Sequence, residues 1–421
     1  MKKRLSGLLA LAVAFVFVVP LCAVPVSAAD TPAYTIHNPY AAVDWDSWAL
    51  YKANLHTQTY FSDGAVSLAD TVEEYYRQGY DILAITDHGV IGKRWDEAPQ
   101  TNFPLDIQSW GKERTILTTE RFNEVQAGTD RGGRGLLCVT SGIELNCANL
   151  TQTHVNGFFA GWGQGWWGFE NDYRVAVHNT EKYGGISFLN HTWQWPLTAT
   201  FVTDPDLESR CRTWFFADIL RAYPSCVGIE IHGDTALWDS LLMRLLPEGR
   251  EVWGFTNDDM HKFNQIGRNA GFYPMETNTV TNLRTAMENG VFFASKGLTQ
   301  GGNAPLVTRV TVDESTDTLT LTTQNTNEVT WIADGAVIAS GNSLSLRDYA
   351  NQINCYVRAE LRNAAGGVTY TQPFSLTDGK DHTVNDRPGA WEELLWNFVR
   401  LLKSNFLAAL IEKLSVWDGK F

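Results

Sequence analysis

Over residues 51–295 short apolar runs alternate with stretches of helical periodicity. The runs are YKANLH, YDILAIT, LLCVTSGIEL, GGISFLNH, VGIEIHG, EVWGFTN and GVFFAS. Between them the spacing predicts helices over 68–78, 172–183, 236–246 and 280–289. Ser67 offers an N-cap for the first of these and Gly79 a stop. Continuous apolar strands separated by helices predict a parallel sheet covered by helices, and seven of them in one region suggest a closed barrel. Polar residues enter where these runs end: His56, Asp87 with His88, Glu144, His191, His232, and Asp259 with His261. In a barrel of parallel strands the reactive site forms at the carboxyl ends of the strands.

After residue 302 the pattern changes to alternation. LVTRVTVDESTDTLTLTTQ, EVTWIADGAVIASG and NCYVRAELRNAAGGVTYTQPFSL are rich in Val and Thr and are punctuated by turn residues. That predicts a small all-β, immunoglobulin-like sandwich over 303–378, after an α/β region over 29–302. A polar linker over 379–389 follows, then an amphipathic helix over 390–418 with Leu394, Leu395, Phe398, Leu401, Leu402, Leu410 and Leu414 on one side. Arg400 and Lys403 interrupt it, so it is expected to pack back on the protein or to lie on a membrane surface rather than to span one.

Lys2, Lys3 and Arg4 precede an apolar run, and small residues offer a cleavage site after Ala28, so 1–28 reads as a secretory signal and the protein as secreted. The chain of 421 residues carries a net charge of −14. Such an acidic protein is a poor candidate for non-specific nucleic-acid binding. The cysteines show no CxxC spacing, so neither a disulfide framework nor a zinc knuckle is indicated. Cys211 with Cys226 is the one pair considered for oxidation, buried free thiols being the alternative.

Residues two apart on a strand share a face, so His56 and Gln58 are expected to look into the barrel mouth together. AITDHG brings His88 to the same rim. Imidazole and carboxylate donors together suit zinc, manganese or iron(II). A lone histidine at a strand end is more often a satisfied rim residue than a ligand. The joint occurrence of His56, Asp63, His88, Glu144, His154, His191, Asp259 and His261 makes that reading improbable here.

The order HTQTYFSDG, GYDILAITDHG, SGIELN, LNH and NDDMH resembles the polymerase-and-histidinol-phosphatase (PHP) family of metal-dependent hydrolases over residues 51–295. A region of this kind followed by a small β-domain looks like that family's secreted, carbaryl-hydrolase-like (CehA/McbA) branch. The resemblance implies a distorted (β/α)7 barrel with two or three divalent metal ions at its mouth. By motif, His56, Gln58, Glu144 and Asp259 would hold the first ion. Glu144 would bridge to a second, completed by His154 and His191. Asp63, His88 and His261 would hold a third. His154 fits least well, since it begins its apolar run, and Gln58 departs from the family's HxH pair.

Asp87 is expected to orient a ligand through a carboxylate–histidine contact, and His232 to assist catalysis. Lys93, Arg94 and Arg268 could bind an anionic substrate, although pairing with the chain's own carboxylates is at least as good a reading. Trp193 and Trp195, after His191, are expected to line the pocket. The implied activity is hydrolysis of a small-molecule phosphoester by activated water. Hydrolysis of a carboxyl ester, carbamate or amide is the alternative reaction, and a degenerate, non-catalytic binding protein the alternative of another kind.

Overall fold

The computed structural model describes residues 34–99, 109–146, 154–161, 173–194, 205–298 and 303–403. The signal segment expected over 1–28, Trp195, and the part of the expected C-terminal helix beyond residue 403 lie outside the described residues. Among the described residues the first element is β1 (Thr35–His37), followed by a mixed α/β region. Its first part comprises β2 (Ala49–Asn54), α1 (Leu68–Arg77), β3 (Ile82–Ala84), α2 (Thr119–Ala127) and β4 (Leu137–Val139). Next come β5 (Ile143–Asn146), β6 (His154–Phe158), α3 (Tyr173–Lys182) and β7 (Ile186–Leu189). They are followed by α4 (Pro205–Ala222), β8 (Cys226–Glu230), α5 (Thr235–Leu245) and β9 (Trp253–Phe255). β10 (Ala270–Met275), α6 (Val280–Asn289) and β11 (Phe293–Lys296) complete the region.

Local chemistry sets the helix ends. Ser67 caps α1 by accepting the Asp70 N–H at 3.1 Å, while Leu68, Val72, Tyr75 and Tyr76 bury the inner face. Thr118 and Thr279 cap α2 and α6, each of which ends on a left-handed glycine, Gly128 and Gly290.

The strands form two sheets around the site. β2, β3 and β4 pair in parallel, with β10 antiparallel on the other side of β2. In the second sheet β7, β8 and β9 are parallel, but β6 runs antiparallel to both β5 and β7. This corrects the expectation of a wholly parallel sheet. Only residues 147–153 separate β5 from β6, too few for the crossover that a parallel pair requires. Isolated parallel bridges, Thr57 with Met260 and His88 with Glu144, link the two sheets.

The β-rich region contains β12 (Leu306–Asp313), β13 (Thr318–Gln324), β14 (Glu328–Ala333), β15 (Ala336–Ser340), β16 (Ser343–Ser345), β17 (Tyr356–Arg362), β18 (Val368–Tyr370) and β19 (Phe374–Thr377). All of its pairings are antiparallel. It is not strung behind the α/β region as a separate bead. β18 pairs with β11, so one sheet runs from one region into the other, and β1 pairs with β19. A buried ion pair adds to this join. Asp239 of α5 accepts from Arg358 Nε and Nη2 and from the Tyr356 hydroxyl, each at 2.8 Å.

The last described element, α7 (Ala390–Lys403), packs back through Trp396, whose ring lies 5.5 Å from that of Phe215 on α4. Its Trp391, Leu394, Leu395 and Phe398 are exposed. Among the described residues no helix is long and apolar enough to cross a membrane. Cys211 and Cys226 are buried free thiols, so the disulfide considered between them is not formed.

Candidate metal centre

Glu144 is the hub of the site. Its Oε2 lies 3.0 Å from His56 Nε2 and 3.6 Å from His88 Nε2, and it accepts a hydrogen bond from the Gln58 amide nitrogen. Its Oε1 lies 2.9 Å from His154 Nδ1 and 3.3 Å from His191 Nε2. Those two imidazole nitrogens are themselves only 3.0 Å apart. His56 Nε2 is also 3.2 Å from Asp259 Oδ1. Toward the mouth, Asp63 Oδ2 lies 3.4 Å from His261 Nε2 and 3.7 Å from His88 Nε2. Three groups of donor atoms result, each within 4.8 Å: His56–Glu144–Asp259, His88–Glu144–His154 and Asp63–His88–His261.

All nine residues expected from the sequence to form the cluster are thus brought together. The position of His154 at the start of its strand has a geometric reason. Because β6 is reversed, its first residue lies at the rim where its neighbours end: His154 is opposite Asn146 and, one step on, Val155 is opposite Leu189. Both His191 and Asp259 adopt positive φ, 24° and 47°, which non-glycine residues rarely do and which tends to mark functional sites.

The donor set suits divalent cations. Among the described residues the ion pairs of Glu144, Asp63 and Asp259 are all with histidines, while Lys112, whose charge also bears on Asp63, donates to the Ser62 and Gly64 carbonyls at 2.8 and 2.9 Å. Gln58 Oε1 is buried without a hydrogen-bond partner, leaving an amide oxygen available. The site is a well whose floor, His56, Glu144 and Glu230, is buried, and whose lip, Asp63, Asp259 and His261, is partly exposed.

The electrostatics follow from this crowding. Burial pulls the His56 imidazole down, but Glu144, Glu230 and Asp259 outweigh it and hold it well above its usual range. Burial likewise raises the Glu144 carboxyl, and the charges of His56 and His88 override it, so Glu144 is ionised. His154 is pushed down to about 4, chiefly by burial. At the lip, burial opposes ionisation of both partners, yet their ion pair prevails: Asp63 falls to about 2 and His261 rises to about 9.

Asp87 acts differently from expectation. It contacts no imidazole; it accepts from the Thr59 N–H at 2.6 Å, the Thr59 hydroxyl at 2.7 Å and the Ser62 hydroxyl at 2.6 Å. It therefore clamps the turn that carries Asp63. The carboxylate that does meet a histidine is Glu230, whose Oε1 lies 2.9 Å from His56 Nδ1. Sequence reasoning passed over Glu230, and over Asn190, whose Nδ2 donates to Glu144 Oε1 at 3.0 Å. The available signal was a charge inside the apolar run VGIEIHG, two residues before His232 and so on its face.

The outer candidates are less closely placed. Arg94 is spent on Asp96 at 2.9 Å and lies over the Phe122 ring. Lys93 and Arg268 are exposed, with Arg268 Nε donating to the Asn264 carbonyl at 2.9 Å. Trp193 does approach the site, its ring 6.2 Å from that of His191 and 4.4 Å from that of His232. His232 Nδ1 is buried without a hydrogen-bond partner, and burial lowers the pKa of its ring.

No family model matches the chain, and no curated protein does. Several solved structures are similar to it. One is a two-domain protein from Bacteroides vulgatus containing a predicted PHP-like metal-dependent phosphoesterase. It is 17% identical, with 79% of this chain and 96% of that one covered and a TM-score of 0.40. PsfC from Pseudomonas syringae is 14% identical over 57% of this chain and 88% of its own, with a TM-score of 0.31. The lesion-specific endonuclease EndoQ from Pyrococcus furiosus is 12% identical over 87% and 89%, with a TM-score of 0.36. Likenesses at this level leave the functional reading to the site itself.

Proposed function

We propose that this chain is a secreted metal-dependent hydrolase of PHP type that cleaves phosphoesters. The observation that carries the reading is the division of the Glu144 carboxylate: one oxygen meets His56, His88 and Gln58, the other His154 and His191. A carboxylate shared in this way could serve two cations, one on each oxygen. His56, Gln58, Glu144 and Asp259 would hold one ion, Glu144, His154 and His191 a second, and Asp63, His88 and His261 a third. Gln58 would contribute its amide oxygen, a poorer donor than imidazole toward zinc.

Zinc, manganese or iron ions bound there would supply Lewis acidity toward a phosphoryl oxygen and lower the pKa of water. The remaining tasks fall to the chain. Asp87 holds the Asp63 turn in place, and Trp193 walls the site beside His191. His232, with Nδ1 free, is the proton-transfer group available outside the ligand set. The two sheets read as halves of a distorted (β/α)7 barrel, joined by the Thr57–Met260 and His88–Glu144 bridges, with the β-rich region as an immunoglobulin-like brace. Export is supported by the basic start and apolar run of residues 1–28. The exposed apolar residues of α7 would suit contact with a membrane surface.

The test is a substrate panel on protein loaded in turn with zinc, manganese and iron(II): p-nitrophenyl phosphate, bis-p-nitrophenyl phosphate and p-nitrophenyl acetate. Turnover of a phosphoester that disappears in Glu144→Ala supports the proposal. Turnover of the acetate alone would move it to carboxyl esters. No turnover of any of them by metal-loaded protein would count against phosphoesterase activity and favour a binding role.

A further inference from the structure

We infer that Glu230 is a positioning residue that sets two of the candidate metal sites at once. The inference rests on the metal-centre reading above and assigns a role to a residue outside the nine-member donor set. Glu230 is the last residue of β8 and is fully buried. Three donors converge on its carboxylate. His56 Nδ1 lies 2.9 Å from Oε1, the Asn257 side-chain amide donates to Oε1 at 3.1 Å, and the His191 backbone N–H donates to Oε2 at 3.0 Å.

Each contact controls a different part of the cluster. A carboxylate facing Nδ1 keeps a proton there, so Nε2, the nitrogen that faces Glu144 and Asp259, is the one that would offer its lone pair to an ion. The bond to the His191 N–H holds a non-glycine residue at a φ of 24°, and so fixes where its Nε2 meets Glu144 and His154. Asn257 extends the link by accepting the Leu55 N–H at 2.9 Å, which anchors the backbone next to His56. One side chain thereby ties the His56 site to the His154–His191 site, while Asp63 depends on the separate Asp87 clamp and the His261 N–H is held by the Gln265 side chain at 2.8 Å.

Glutamine is the informative replacement because it keeps the volume but changes the bonding. An amide has one acceptor atom and one donor group, so with three donors converging it must turn its NH2 toward His56 Nδ1 or toward the His191 N–H. The first choice moves the His56 proton to Nε2; the second repels the His191 backbone. Glu230→Gln is therefore expected to weaken two ions together, by the 10- to 100-fold typical of losing such an orienting partner. The ion at Asp63, His88 and His261 should be spared.

The experiment is zinc titration by calorimetry of the wild type, Glu230→Gln and Asp87→Asn, with melting of each metal-free protein measured alongside. The predicted result is two weakened ions in Glu230→Gln and one, the third, in Asp87→Asn. Unchanged affinities in a Glu230→Gln protein that merely melts lower would overturn the inference and leave Glu230 a structural residue. A wild type that takes up no zinc would instead remove the metal reading itself, so the two failures are distinguishable. Should Glu230→Gln not fold, nitrogen-15 imidazole spectra of the zinc-loaded wild type decide: His56 with a protonated Nδ1 and a metal-bound Nε2 supports the inference, and the reverse overturns it.

Discussion

His154 Nδ1 lies 2.9 Å from Glu144 Oε1, although His154 opens its strand while the other histidines follow theirs. The reversal of β6 makes both statements true. It lets a residue at a strand's amino end join a rim built from carboxyl ends, and it puts an imidazole on the Glu144 oxygen that His56 leaves free.

Gln58 weakens the first site relative to a histidine. Gln58→His is expected to raise affinity for that ion by at least tenfold, since imidazole is the better donor toward zinc. Competition with a chromophoric chelator measures it. An unchanged or lower affinity would mean that Gln58 serves only to hold Glu144.

Asp87 stabilises the fold as well as the site. Asp87→Ala leaves the Thr59 N–H, the Thr59 hydroxyl and the Ser62 hydroxyl without their acceptor in a buried place. Each unsatisfied group costs about 1–3 kcal/mol, and partial relaxation makes a total of roughly 2–4 kcal/mol reasonable. Urea unfolding of the metal-free variant checks this.

The two regions should unfold as one. Arg358→Met strands the Asp239 carboxylate at the join between α5 and β17, and breaking a buried pair in this way costs about 3–5 kcal/mol. Removing the chain from residue 303 onward also strips β18 from β11, so the truncated α/β region should not reach the melting temperature of the full chain. A truncated protein that melts like the parent would remove the bracing role.

Lys52 gives a pH signature away from the cluster. Its ammonium sits 3.9 Å from the centroid of the Tyr80 ring, and burial lowers its pKa to about 8, with Asp258 and Asp81 opposing. Between pH 8 and the unfolded-state value near 10.4 the unfolded chain binds the proton and the folded one does not, so this contribution to stability rises with pH. The difference in unfolding free energy between wild type and Lys52→Met should therefore shift by about 2 kcal/mol in favour of wild type from pH 7.5 to 10. A flat difference across that range would contradict it.

Much of the site could be read from the sequence because its donors interrupt apolar runs, and a histidine or carboxylate at such a point is costly unless it is used. His56, His88, Asp259 and His261 are visible in that way. Strand direction is not, because a short apolar run reads alike in both senses; only the short stretch between Asn146 and His154 indicated the reversal of β6. Glu230 also interrupts an apolar run, but between Ile229 and Ile231 it lies inside the run rather than at its end, so its place beside the rim is not marked in the sequence. The role of Asp87 depends on Thr59 and Ser62 folding back toward it, a tertiary contact with no periodic signature. β1 is three residues long, and nothing in Thr35–His37 foretells its pairing with β19.

The most direct test of the account is metal content per chain, by mass spectrometry, on protein purified without chelators and compared with Glu144→Ala. Two to three divalent ions in the wild type and a loss of at least two in the variant are predicted, because both Glu144 oxygens serve the cluster. A wild type that holds no zinc, manganese or iron, even after incubation with each, would contradict the metal centre and with it the hydrolase.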